Sequence, residues 1–159
     1  HCTDNGNKLM FIGNGASAAI SSHMSTDYWK NGGMRAVAFN DSSLLTCISN
    51  DYSYDDVFAR QLAGLGKATD CLIGISTSGN SSNVLKAIVT GNRIGMSTVG
   101  LLGRDGGEIA SVCKSSIVVG SNSTARIQEM HIAVGHIICE IVESNIHKNK
   151  VLNKTDIII

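Results

Sequence analysis

Residues 71–85 read Cys-Leu-Ile-Gly-Ile-Ser-Thr-Ser-Gly-Asn-Ser-Ser-Asn-Val-Leu, and this stretch decides both the fold class and where to look for chemistry. Its opening is a short apolar run, the pattern of a strand buried on both faces of a parallel sheet. Four Ser/Thr then fall within the six residues Ser76-Thr77-Ser78-Gly79-Asn80-Ser81, and a helical pattern opens at Ser82-Asn83-Val84-Leu85. Hydroxyls at Ser76, Ser78 and Ser81, with the free N–H groups of a helix N-terminus, offer a phosphate dianion many donors without any Lys or Arg. Gly79 permits close backbone approach. The same serines could instead cap the helix and fill a turn. So many hydroxyls directly after a buried strand favour the anion site.

Working outward, the strand–helix alternation repeats along the chain. Strands are expected at Lys8 to Ile12, Met34 to Phe39, Asp70 to Ser76, Met96 to Leu102 and Ser115 to Val119. Helices fit Ala16 to Trp29, Ser43 to Ile48, Asp55 to Leu65, Ser82 to Arg93, Gly107 to Val112, and Ala125 to about Asn145. Such alternation predicts an α/β fold, a three-layer αβα sandwich around a mostly parallel five-stranded sheet. Ligands of such sheets bind beyond the carboxyl ends of the strands, which directs attention to the loops after Ile12, Phe39, Ile75 and Leu102. Residues 1–145 read as a single domain. The Asn-, Lys- and Ile-rich stretch 146–159 reads as a tail, either a fraying end or an extension onto a partner.

The composition narrows the function classes. A chain of 159 residues with 43% hydrophobic content can bury one sizeable core. Its 13 basic and 13 acidic residues balance, so it lacks the electrostatic footprint of a nucleic-acid or membrane-surface binder. Five scattered cysteines with no CxxC pair, several inside apolar runs, point to a reducing compartment. No apolar run approaches the ~20 residues of a membrane span, and no signal peptide is visible, so a cytoplasmic protein is expected. The chain opens at His1 rather than Met, and a native segment is expected to precede it.

A second loop, Gly13-Asn14-Gly15-Ala16-Ser17, lies between the first strand and first helix and can bring a hydroxyl and bare amides to the same ligand. It lacks the GxGxxG spacing, and no GKS or GKT occurs, so no nucleotide cofactor is expected. In the helix that follows, His23 and Asp27 are four residues apart and share a face, able to act on one ligand or hold one metal. The last long helix carries Gln128, Glu129, His131 and His136. Gln128 and His136 are about 80° apart around that helix and roughly 12 Å apart along it, so they can flank a substrate at two levels. An imidazole opposite a carboxylate is the acid–base equipment of an aldose–ketose isomerase, which shifts a proton between C1 and C2 through an enediol. A histidine in so apolar a run is also readily a hydrogen-bonded core residue, and spacing alone leaves both readings open.

Taken in order, GNGAS (13–17), ISNDYSYDDVFARQ (48–61), GISTSGNSSNVLKA (74–87), GLLGRDGG (100–107) and ARIQEMHIAVGHIICEIVE (125–143) resemble the sugar-isomerase (SIS) domain of the phosphoheptose isomerases. The resemblance runs to about Glu143. It implies isomerisation of sedoheptulose 7-phosphate to D-glycero-D-manno-heptose 7-phosphate, supplying heptose for lipopolysaccharide, capsule or related bacterial glycans. It also implies homotetramers with shared active sites. Carried over by position, Ser17, Ser76, Ser78 and Ser81 would hold the phosphate, with Thr77 in the same loop. Asn14, Asn50 and Asp51 would line the sugar site, Gln128 would contact substrate, and His136 would be the catalytic imidazole.

In members that bind zinc, the ligands correspond to His23, Asp27, Gln128 and His136. The chain departs from the family at Asp27, where a catalytic glutamate is one methylene longer, and at its start, where only His1 to Asn7 precede the first strand instead of a long helix. The resemblance leaves two rivals: an isomerase of another phosphosugar, and a non-catalytic SIS sensor or DiaA-like assembly regulator. DiaA-like proteins share RIQEMH but lack the later histidine, so the presence of His136 favours an enzyme.

Overall fold

Each apolar run is followed by a helix that carries the chain back across a sheet face, so successive strands point the same way. The computed structural model describes residues 6–154. The first half runs β1 (Lys8–Gly13), α1 (Ala16–Lys30), β2 (Arg35–Ala38), α2 (Ser42–Asp51), a 3-10 turn (Tyr54–Asp56) and α3 (Ala59–Leu65). The second half runs β3 (Cys71–Ser76), α4 (Ser82–Ile94), β4 (Ser97–Gly103), α5 (Gly107–Val112), β5 (Ser115–Val119) and α6 (Thr124–Lys154). The five strands form one sheet in the order β2-β1-β3-β4-β5, and every pairing is parallel. The expected three-layer sandwich is therefore the observed one.

Side chains alternate across the sheet with the period of two that a strand imposes. Met10 and Ile12 face one core with Leu72, Val84, Ile88 and Leu102. Leu9 and Phe11 face the other, with Ile20, Met24 and Tyr28 of α1. In this strand order the chain leaves β1 toward one edge and returns to β3 on the other side, so a crevice opens between the loops that follow them. Register places Gly13 beside Ile75 and Ser76 beside Leu102, which sets the loops after β1, β3 and β4 next to one another.

Two elements differ from expectation. The helix expected over Asp55 to Leu65 is split, its first turn drawn onto α4. Ser53 Oγ donates to Asp56 Oδ2 at 2.8 Å, Lys86 Nζ pairs with Asp56 at 2.9 Å, and Ser82 Oγ donates to Asp55. The tail expected from residue 146 begins as helix, because α6 continues to Lys154 through a stretch with neither Gly nor Pro to stop it. Residues 155–159 of that tail, and Cys2, lie outside the described residues. None of the four described cysteines forms a disulfide. Among the described residues no helix is long and apolar enough to cross a membrane.

The end of the sheet away from the crevice is tied by a buried carboxylate. Asp70 is fully buried and accepts from Lys8 N–H at 2.7 Å, Lys8 Nζ at 2.8 Å and Lys67 N–H at 2.9 Å. Burial alone would raise its pKa, but these donors and the lysine charge hold it below the usual carboxylate value. Asp70→Asn is expected to destabilise the chain by roughly 3 kcal/mol near pH 7, since the half-buried Lys8 loses its counter-charge and the fully buried site loses its ion pair. A depressed folded pKa contributes stability above the unfolded value of about 3.9 and loses it as pH falls through the folded value. In urea melts from pH 7 to pH 2 the gap between wild type and variant should therefore close; a constant gap would reject the assignment.

Candidate functional site

The loop after β3 gathers its hydroxyls. Ser76, buried at the strand's end, has its Oγ 3.0 Å from Ser81 Oγ and 3.4 Å from Ser78 Oγ, and accepts from the Gly79 N–H at 3.2 Å. Ser81 occupies the N-cap position of α4 yet makes no side-chain capping bond; its hydroxyl turns to Ser76 instead. The first-turn N–H groups of α4 are therefore not capped by the Ser81 side chain. Gly79 is required here: its φ is 68°, and a Cβ would lie 2.1 Å from the Gly106 carbonyl oxygen. Thr77 is half-buried within the same loop.

Across the crevice, Ser17 is buried in the first turn of α1. Asn14 Nδ2 donates to Asn83 Oδ1 at 2.8 Å, Asn83 Nδ2 returns a bond to Asn14 Oδ1 at 2.9 Å, and Tyr54 OH donates to the same Oδ1 at 3.0 Å. The Asn14 side chain is thus committed to bracing its loop against α4. Sequence reasoning missed Asn83 and Tyr54. The available signal was a polar residue in the first turn of a helix packed on the sheet, which needs a partner once buried.

His23, Asp27 and His136 meet where α1 packs on α6. His23 Nε2 lies 2.9 Å from His136 Nε2, and Asp27 Oδ2 lies 3.4 Å from each. The approach depends on Gly135, another residue missed from sequence: a Cβ there would sit 2.1 Å from Met24 Sδ, and Tyr28 OH donates to its carbonyl at 3.2 Å. The histidine side chains are 49% and 44% exposed and Asp27 is 22% exposed, so a ligand can reach all three. Two neutral imidazoles at this distance must act as one donor and one acceptor.

The donor set also fits a metal. Their mutual distances of 2.9, 3.4 and 3.4 Å approximate the edges of a tetrahedron. Arms of about 2.0 Å, the usual zinc–ligand length, give edges of about 3.3 Å. Gln128 makes no hydrogen bond with this cluster; eight residues before His136 it is about 12 Å away along α6. Three of the four expected ligands therefore come together.

The remaining candidates separate clearly. Asn50 and Asp51 end α2, exposed, with Asn50 Nδ2 donating to Asp51 Oδ1 at 2.9 Å. Asn50 lines a cavity of about 380 Å³ with Leu45, Thr46, Ser49 and Tyr54, and the Tyr54 bond to Asn14 places it beside the β1–α1 loop. Asp51 also accepts from the Cys47 thiol, and that hydrogen bond with the carboxylate charge raises the thiol pKa, which disfavours a nucleophile. His131 is fully buried, donates from Nε2 to the Leu102 carbonyl at 3.0 Å, and has its pKa lowered by burial; it holds α6 to β4. Glu129 is exposed and paired with Arg126. An apolar groove of about 240 Å³ is lined by Leu9, Phe11, Val99 and Leu101 of the sheet together with Met24, Tyr28 and Gly135, the chain neighbours of His23, Asp27 and His136.

Known proteins resemble this chain over most of its length. Residues 1–103 match the family model of the SIS domain. The phosphoheptose isomerase of Akkermansia muciniphila is 50% identical over 155 residues, covering 92% of this chain and 82% of that protein. That of Aneurinibacillus thermoaerophilus is 47% identical, covering 92% and 77%. The solved structure of phosphoheptose isomerase from Neisseria gonorrhoeae superposes with a TM-score of 0.86 at 43% identity, covering 90% of this chain and 79% of that one. The Vibrio vulnificus NanR protein, solved with ManNAc-6P, is 17% identical with a TM-score of 0.69 over 93% of this chain and 53% of its own, and shares the fold.

Proposed function

The chain belongs to the SIS-domain family, among the phosphoheptose isomerases, and we propose that it interconverts sedoheptulose 7-phosphate and D-glycero-D-manno-heptose 7-phosphate, with Asp27 and His136 carrying the protons. The observation that supports this most is the accessible His23–Asp27–His136 cluster in a chain that also carries a hydroxyl-lined loop with helix N–H groups left uncapped by the Ser81 side chain. In the ketose-to-aldose direction a base takes a proton from C1, the C1–C2 enediol forms, and the proton returns to C2. Asp27 suits the carbon proton, and His136 suits the separate transfer of the hydroxyl proton from the C1 oxygen to the C2 oxygen. Asn50, Asp51 and Gln128 remain candidates for the sugar hydroxyls. His23, Asp27 and His136 would hold a zinc ion, which when bound supplies charge stabilisation to the enediolate oxygens.

Substrate length supports a long sugar. Ser17 and His23 are six residues apart on α1, about 9 Å along its axis. From C2 to phosphorus a heptose 7-phosphate has seven bonds, about 8 Å extended, whereas a pentose 5-phosphate has five, about 6 Å. The family reading also carries homotetrameric assembly with shared sites and a cytoplasmic role in heptose supply for lipopolysaccharide, capsule or related glycans. An uncovered apolar stripe on α6, Met130, Ile137 and Ile141, adjoins His136 and suits a subunit contact.

Purified protein mixed with sedoheptulose 7-phosphate, with and without zinc, should form the aldoheptose phosphate, seen by NMR as a new anomeric signal. Binding without turnover under both conditions would replace the isomerase with a non-catalytic sugar-phosphate sensor.

A further inference from the structure

The GRDGG stretch has no part in the chemistry above, yet it is folded tightly onto the phosphate loop. Arg104 holds a φ of 57°, the one non-glycine residue with positive φ among the described residues. A backbone so placed persists only where its surroundings over-determine it. The turn it opens leads into α5, whose first residues are bonded to the loop after β3: Ile109 N–H donates to the Gly79 carbonyl at 2.9 Å, and Glu108 N–H donates to Asn80 Oδ1 at 2.9 Å. The same asparagine donates from Nδ2 to the Ser78 carbonyl at 3.1 Å, and its backbone N–H donates to Ser78 Oγ at 3.1 Å. A Cβ on Gly107 would lie 2.6 Å from Asn80 Oδ1, so the contact admits no side chain there.

We propose that Asn80 is a positioning residue for the substrate phosphate, clamping the phosphate loop to the start of α5. This rests on the reading of that loop as the phosphate site. The chemistry needs an amide, since one atom must accept from α5 and the other donate to Ser78. Ser78 Oγ accepts from Asn80 N–H, and Ser76 Oγ accepts from Gly79 N–H while sharing a hydrogen bond with Ser81 Oγ. The Asn80 amide, bonded to the Ser78 carbonyl and to Glu108 N–H, holds the turn that carries Ser78 Oγ and so sets where that hydroxyl stands for a phosphomonoester dianion. Asn80 is itself exposed, so its replacement removes nothing from the core.

Calorimetric titration with inorganic phosphate, alongside steady-state kinetics on the heptose phosphate, tests this in the whole chain. Asn80→Ala should raise the phosphate Kd and the KM about tenfold with kcat within about twofold and the thermal midpoint unmoved. Asn80→Asp keeps the acceptor for α5 but loses the donor and adds a charge beside the anion, so it should bind more weakly still, with the deficit shrinking in salt. Phosphate binding unchanged in Asn80→Ala would overturn the clamp. So would a joint loss of kcat and thermal stability, the mark of a merely structural residue. Failure of the wild-type chain to take up phosphate would overturn the underlying phosphate-loop reading instead.

Discussion

Replacing His136 with alanine is expected to lower kcat for the heptose phosphate by about a thousandfold while leaving the fold intact. Proton transfer by a positioned side chain contributes roughly 10²–10⁴ in rate, and His136 stands at the centre of the cluster, within 2.9 Å of His23 and 3.4 Å of Asp27. Its side chain is 44% exposed, so truncation opens no cavity, and alanine is the best helix former for its place on α6. Circular dichroism melts should therefore overlay those of the wild type, and KM should change little because the phosphate is held elsewhere. A variant that folds and turns over at the wild-type rate would remove His136 from the acid–base assignment and leave the cluster a structural contact between α1 and α6.

What was legible in the sequence depended on how local its cause was. The interior strands β1, β3 and β4 were readable because burial on both faces leaves a continuous apolar run, and Ser76 to Ser81 because a hydroxyl-rich turn follows such a run immediately. The shared face of His23 and Asp27 follows from helical spacing alone. The partnership of His23 with His136 does not, since it spans 113 residues and exists only because Gly135 lets Met24 approach. Nothing local marks out Asn80 in its turn or Asn83 in its helix; their contacts depend on Glu108, 28 residues away, and Asn14, 69 residues away. The split of the expected Asp55–Leu65 helix has the same origin, because Asp55 and Asp56 are claimed by Ser82 and Lys86 of α4. Helical periodicity cannot register competition from a partner distant in sequence.

The one methylene missing at position 27 leads to the sharpest test of mechanism. Asp27→Asn should lower kcat about a thousandfold, because an amide of the same shape cannot take a proton from carbon. Incorporation of solvent deuterium at carbon should stop with it. Asp27→Glu should stay within about tenfold of wild type. The aspartate oxygen lies 3.4 Å from each imidazole nitrogen, beyond the ~2.8 Å of a charge-assisted hydrogen bond, so the site has room for the longer arm. A glutamate variant that loses activity would mean the pocket is built around the shorter acid, since misplacing a base by about 1 Å can cost a hundredfold. The asparagine variant also separates the two possible roles of the carboxylate. If Asp27 serves only to hold zinc, saturating metal should restore both turnover and deuterium exchange to Asp27→Asn. If it takes the carbon proton, neither returns however much zinc is added, because what is missing is basicity and not charge.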